Sequence, residues 1–168
     1  MKLELELLTP EGWLREQKRL ISFAVRYGEK RLTVSTIHAL RKLDASLLTQ
    51  ATEQETSSAA AVVAKQGPRI AGFGFASGGG EECCMVVVHP EARSLGIGGA
   101  IVQAMIERLG KLTCSVAIDN TASMALCFRL GMKAVSMHRG PTGKPTLRFE
   151  GGTTNDVARP RHSDFISQ

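Results

Sequence analysis

Polar and apolar residues alternate at the start of the chain, Lys2-Leu3-Glu4-Leu5-Glu6, and the period-two pattern predicts a strand over Lys2 to Leu8. Thr9-Pro10-Glu11 then supplies a capping hydroxyl and a proline at the first helical position, opening a helix expected to run to about Val25. Ser35 or Thr36 starts a second helix with Ile37, Leu40, Leu43, Leu47 and Leu48 on its apolar side. Thr52 to Ser58 is polar and reads as a loop. Ala60 to Lys65 and Arg69 to Ser77 form a hairpin through Gln66-Gly67-Pro68. Cys83 to Val88 is an apolar strand that ends at His89-Pro90. A glycine loop follows, and then a helix with apolar residues at Ile97, Ala100, Ile101, Ala104, Met105 and Leu109. Leu112 to Ile118 reads as a strand. After it Asp119 or Asn120 caps a helix that Gly131 ends, with Met124, Ala125, Phe128 and Met132 as its apolar face.

The loop between strand and helix, Arg93-Ser94-Leu95-Gly96-Ile97-Gly98-Gly99, is built to hold an anion. Glycines let a ligand approach the backbone and turn successive N–H groups one way, and the helix dipole adds a positive end. A dinucleotide fingerprint fails, because Ile101 stands where its third glycine belongs. A Walker loop also fails, since Gly110-Lys111 precedes Leu112 and Gly143-Lys144 precedes Pro145.

Arg-x-x-Gly-x-Gly after an apolar strand resembles the GNAT superfamily of acyl-CoA-dependent N-acetyltransferases. The resemblance implies that Arg93, Ser94, Leu95, Gly96, Ile97, Gly98 and Gly99 hold the pyrophosphate of acetyl-CoA, the co-substrate. It also implies that the edge of Val86, Val87 and Val88 pairs with the cofactor's pantetheine arm. Downstream, Asn120-Thr-Ala-Ser-Met-Ala-Leu-Cys-Phe-Arg-Leu-Gly-Met132 resembles a second family segment, in which Asn120 and Ser123 would line that arm. The family's tyrosine, often the acid that protonates the departing thiolate, falls at Cys127, and the single tyrosine of the chain is Tyr27. Cys127 is either a lining residue or that acid.

The implied fold is an α/β GNAT fold, a mixed, mostly antiparallel twisted sheet of about 6–7 strands flanked by about four helices, in the order β-α-α-β-β-β-α-β-α-β-β, across residues 1–150. In the family the first two helices form the acceptor side of the cleft. Trp13 and Phe23 either stack on an acceptor or belong to the core. His38 reads as a surface residue.

An amine acceptor is protonated near neutral pH and must lose a proton before it attacks a thioester. Glu82 is the candidate general base, at the offset before Arg93 where histone-acetylating members carry theirs. The bland reading is that Glu81 and Glu82 are solvated residues beside Gly78-Gly79-Gly80, with water relaying the proton. His89 is the rival base, or simply a strand-ending surface residue.

Composition narrows the rest. The 168 residues, 43% hydrophobic and 22% charged, suit one soluble domain, and no apolar run approaches a membrane span. A cytoplasmic location is expected. Cys83, Cys84, Cys114 and Cys127 lack metal-ligand spacing, so no metal site is predicted, and adjacent Cys83 and Cys84 should face opposite ways. The net charge of +5 is dispersed and not interleaved with the six Phe, one Trp and one Tyr, which argues against nucleic acid.

The expected activity is transfer of an acetyl group from acetyl-CoA to an amine of a small molecule or protein, in a ternary complex. The alternative is a non-catalytic acyl-CoA-binding or regulatory module. The tail, residues 151–168, is expected to pack on its own domain or on a second subunit of a homodimer through Phe165 and Ile166.

Overall fold

The first strand, β1 (Leu3–Leu7), hands over to helix α1 (Pro10–Tyr27) at Thr9, whose side chain accepts a hydrogen bond from the Gly12 N–H at 3.1 Å. The computed structural model describes residues 2–49 and 57–152, so the tail beyond Gly152 and most of the Thr52 to Ser58 loop lie outside the described residues. Helix α1 continues two residues past the expected end, to Tyr27.

Helix α2 is Val34–Lys42. It begins one residue earlier than the pattern suggested, because Thr33 is the cap and accepts from the Thr36 N–H at 3.2 Å. It also ends earlier. Leu43 turns extended and Asp44 caps a separate 3-10 turn, Ala45–Leu48, so Leu47 and Leu48 are not on the helix.

Strands β2 (Ala60–Gln66), β3 (Arg69–Ser77) and β4 (Cys83–Val88) join β1 in an antiparallel sheet ordered β1-β2-β3-β4. Helix α3 (Ile97–Leu109) and strand β5 (Lys111–Ala117) follow, then helix α4 (Thr121–Arg129), β6 (Lys133–Arg139) and β7 (Pro145–Gly152). The second sheet is antiparallel in the order β5-β7-β6. Among the described residues this is an α/β fold of seven strands and four helices, in the element order expected from the resemblance. The one expected mixed sheet is instead two antiparallel sheets, with no ladder between β4 and β5 among the described residues.

Strand pleating distributes side chains to two cores. Cys83, Met85 and Val87 of β4 join Trp13, Leu20, Phe73 and Phe75 on the α1 and α2 side. Cys84, Val86 and Val88 face the other cluster, built on Ile97, Ile101, Met105 and Phe149. Trp13 is fully buried and stacks on Phe73 and Phe75, which makes it a core residue with no face for an acceptor. Phe23 is buried in the same cluster, and His38 is exposed.

On α4 the pattern reading needs correcting. Cys127 is buried, with Met124, Leu126 and Leu130 half-buried, whereas Ala125 and Phe128 are exposed. The helix is rolled because Gly98 and Gly99 of α3 carry no side chains, and Leu126 packs into the space they leave. Phe128 instead sets its ring edge against Phe149 at 5.1 Å.

Candidate functional site

Among the described residues β4 is the terminal strand of its sheet, and alternate residues of an antiparallel strand send both backbone groups to the same side. The His89 N–H bonds the Ala71 carbonyl at 2.8 Å, so Val87 and Met85 share that paired side while Val86 and Val88 address the free edge. The Nε of Arg93 donates to the Val88 carbonyl at 3.4 Å, as this parity requires. Val87, grouped with its neighbours in the sequence reading, is set apart: its backbone pairs with β3 and its side chain is in the core.

The loop after β4 ends in an uncapped helix. Gly96 is the N-cap of α3 in the left-handed conformation, φ 78°, and offers no capping side chain. The first helical bond runs from the Ala100 N–H to the Gly96 carbonyl at 3.0 Å. The N–H groups of Ile97, Gly98 and Gly99 therefore precede any helical acceptor. Ser94 also has a positive φ of 63°, unusual for a residue with a side chain, and it is exposed with Leu95 and Gly96. Ile97 points its side chain into the core, so only its backbone faces the loop.

Arg93 braces this loop. Its guanidinium donates to the Glu29 carboxylate at 2.6 Å and to the Tyr27 carbonyl at 3.5 Å, tying the end of α1 to the loop. Beyond β5, Asp119 accepts from Lys144 at 2.6 Å and from Arg31 at 3.0 Å. These two hydrogen bonds, Lys144's first, hold the Asp119 carboxyl below its ordinary range. The segment after α1 thus reaches from the β4 loop at Glu29 to the end of β5 at Arg31. The pairs are solvent-exposed and individually weak.

Asn120 is the N-cap of α4, its Oδ1 accepting from the Ser123 N–H at 3.3 Å. Cys127, about two turns further on, lies with its Sγ 3.8 Å from Cys114 Sγ. The hydrogen bond to Cys114, followed by burial, pushes the Cys127 thiol far above its ordinary value, which keeps it protonated.

Glu82 is exposed on the turn before β4, its N–H bonded to the Ser77 carbonyl at 3.3 Å. Glu81 beside it pairs with Arg148 of β7. His89 is held by structure, its Nδ1 accepting from the Glu91 N–H at 3.2 Å and its ring 4.5 Å from that of Tyr27. Arg69 approaches its Nε2 at 3.3 Å. A shallow groove of about 490 Å³ runs past His89, Phe23, Tyr27, Arg19, Arg26 and Arg69. Of its arginines, Arg19 donates to the Pro68 carbonyl, Arg69 pairs with Glu91, and Arg26 lies over the Tyr27 ring.

No helix among the described residues is long and apolar enough to cross a membrane. Residues 38–132 match the family model described as Acetyltransferase (GNAT) family. Solved structures share the fold. A GNAT-family acetyltransferase from Streptococcus pneumoniae is 14% identical with a TM-score of 0.64, covering 90% of this chain and 99% of that one. The ribosomal-protein-S18-alanine N-acetyltransferase from Escherichia coli is 13% identical with a TM-score of 0.64, covering 94% and 98%. NAA60 from Arabidopsis thaliana, in complex with acetyl-CoA, is 12% identical with a TM-score of 0.62, covering 90% and 99%. Comparison with the curated proteins finds no match.

Proposed function

The chain belongs to the GNAT acetyltransferase family, and we propose that it is an N-acetyltransferase carrying an acetyl group from acetyl-CoA to a primary amine by direct attack in a ternary complex. The observation that carries this reading is the free edge of β4 leading straight into an uncapped helix N-terminus. An extended chain rich in amides needs such an edge, and a pyrophosphate needs the N–H groups of Ile97, Gly98 and Gly99. The residues present fit the group.

Acetyl-CoA supplies the acetyl group as an activated thioester. Ser94, Gly96, Ile97, Gly98 and Gly99 would hold its phosphates by backbone N–H groups, and Arg93 steadies the loop. Val86 offers its backbone groups to the arm. The Val88 N–H, on the same free edge, is aimed to stabilise negative charge building on the carbonyl oxygen. Asn120 and Ser123 fix the start of α4, and Cys127 lines the cleft beside Cys114. The segment following α1, held by Glu29 and Arg31, borders the acceptor side.

Glu82 removes the proton from the acceptor ammonium in this reading. Glu82→Gln keeps the shape and removes the basicity, so the rate below neutral pH should fall by roughly 10²-fold and the acidic limb of the pH profile should lose its inflection. An unchanged profile would assign the proton to water.

Cys127 is a specific reason to weigh the non-catalytic module as a second reading. A thiol pushed so far up is a poor acid, and the family's tyrosine is missing. If water supplies the leaving-group proton, Cys127→Ala should keep the maximal rate within a few-fold of the parent. A rate lost altogether would make Cys127 the acid.

A further inference from the structure

Three of the four cysteines, distant in sequence, converge on one spot. Cys84 is on β4, Cys114 on β5 and Cys127 on α4, the two strands that fail to pair and the helix beside them. All three pack against the same apolar cluster. The Cys114 Sγ lies 3.8 Å from that of Cys127, and the neighbouring Cys84 helps to push the Cys114 thiol up. Cys84 and Cys114 are half-buried, within reach of a small reagent, and Cys127 is buried. The fourth, Cys83, points to the opposite core.

We propose that Cys114 and Cys127 form a dithiol modification site, which a low-molecular-weight disulfide such as glutathione disulfide converts to an intramolecular disulfide bridging β5 and α4. The Cys114 thiolate attacks one sulfur of the reagent, the reagent's S–S bond breaks, and the thiolate released takes up a proton. In the mixed disulfide the Cys114 thiol that holds Cys127 protonated is gone; Cys127 gives up its proton, attacks the Cys114 sulfur and expels the second thiolate, which takes up a proton. Two protein S–H bonds become one S–S bond, and the reagent's S–S bond becomes two S–H bonds. The protein is oxidised by two electrons and the reagent reduced by two.

The two sulfurs start in contact at 3.8 Å and need to close to about 2.05 Å. The hydrogen bond from Cys127 draws the Cys114 thiol down, but the neighbouring Cys84 and burial outweigh that and set it at about 12. Thiolate is scarce at neutral pH, so the exchange is slow there and accelerates about tenfold per pH unit while pH stays below that value. The bridge would take the Cys127 thiol out of the cleft. The oxidised protein should then lose turnover, a consequence that rests on the proposed acyl-transfer site, whereas the bond itself does not.

The test treats the full chain with glutathione disulfide at mildly alkaline pH, alkylates it with iodoacetamide and maps the peptides by mass. The expected product has lost two hydrogens and yields one linked peptide joining Cys114 to Cys127, reversed by dithiothreitol and absent from Cys127→Ser. Should that variant fail to fold, the map of the parent protein decides by itself. Separate alkylation of Cys114 and Cys127 after oxidation, or a bridge between any other pair, would overturn the proposal. Because the map reads a covalent bond, its result is independent of whether the protein transfers acetyl groups.

Discussion

Gly98→Glu is expected to lower CoA affinity by about 10³-fold while the protein stays folded, a loss of about 4 kcal/mol. Gly98 is a helical residue of α3 without the positive φ of Gly96, so its backbone accepts a side chain. A Cβ there would lie 3.5 Å from the Leu126 side chain and 3.7 Å from that of Val88, ordinary contacts, pointing between α4 and β4. Glycine also costs a helix up to about 1 kcal/mol relative to alanine, and a carboxylate near a helix N-terminus is favourable to the fold. The damage falls on the ligand. A negative charge would occupy the N–H groups meant for phosphate, and each charged hydrogen bond lost removes about 1.5–3 kcal/mol. Calorimetry against CoA measures the loss, with Gly98→Ala as the folded control. Unchanged affinity in folded Gly98→Glu protein would remove the phosphates from this loop.

The second large effect is on stability. Gly80 has φ 95°, and a Cβ on it would sit 1.9 Å from the Thr113 carbonyl oxygen and 2.9 Å from its carbon. Both contacts are to backbone, which cannot swing aside as a side chain does. Gly80→Ala must therefore push the turn before β4 away from β5, in addition to the cost of a left-handed alanine. A loss of about 3 kcal/mol or more is expected, from roughly 1–3 kcal/mol of backbone strain plus a comparable overpacking cost. Denaturant unfolding of the variant measures it. A change under about 1 kcal/mol would mean that the turn relaxes freely and does not hold the two sheets together.

The contrast between these glycines shows which parts of the molecule were legible in the sequence. Local chemistry was legible. Thr9 and Pro10 marked the start of α1, Gly67-Pro68 marked the hairpin, and the β4 strand was read to its residue limits. The left-handed Gly96 and the Asn120 cap also follow from residue type at a helix end.

What depends on non-local packing was not legible. Nothing in the spacing of residues 93 and 29 foretells that Arg93 is paired with Glu29, or that Arg31 and Lys144 meet at Asp119. The α4 face was misjudged because the space for Leu126 is made by two missing side chains on another helix. The thiol cluster escaped for the same reason: Cys84, Cys114 and Cys127 share no motif, and only the gap between β4 and β5 brings them together. One signal was present, since the tyrosine position of the resembling segment carries a cysteine.

Thiol release from acetyl-CoA by the full chain with a panel of primary amines, against an amine-free control, measures acetyl transfer at the β4 edge. Amine-dependent release that saturates in acetyl-CoA and vanishes in Gly98→Glu is the expected result. Tight acetyl-CoA binding without release for any amine would contradict it and leave an acyl-CoA-binding module.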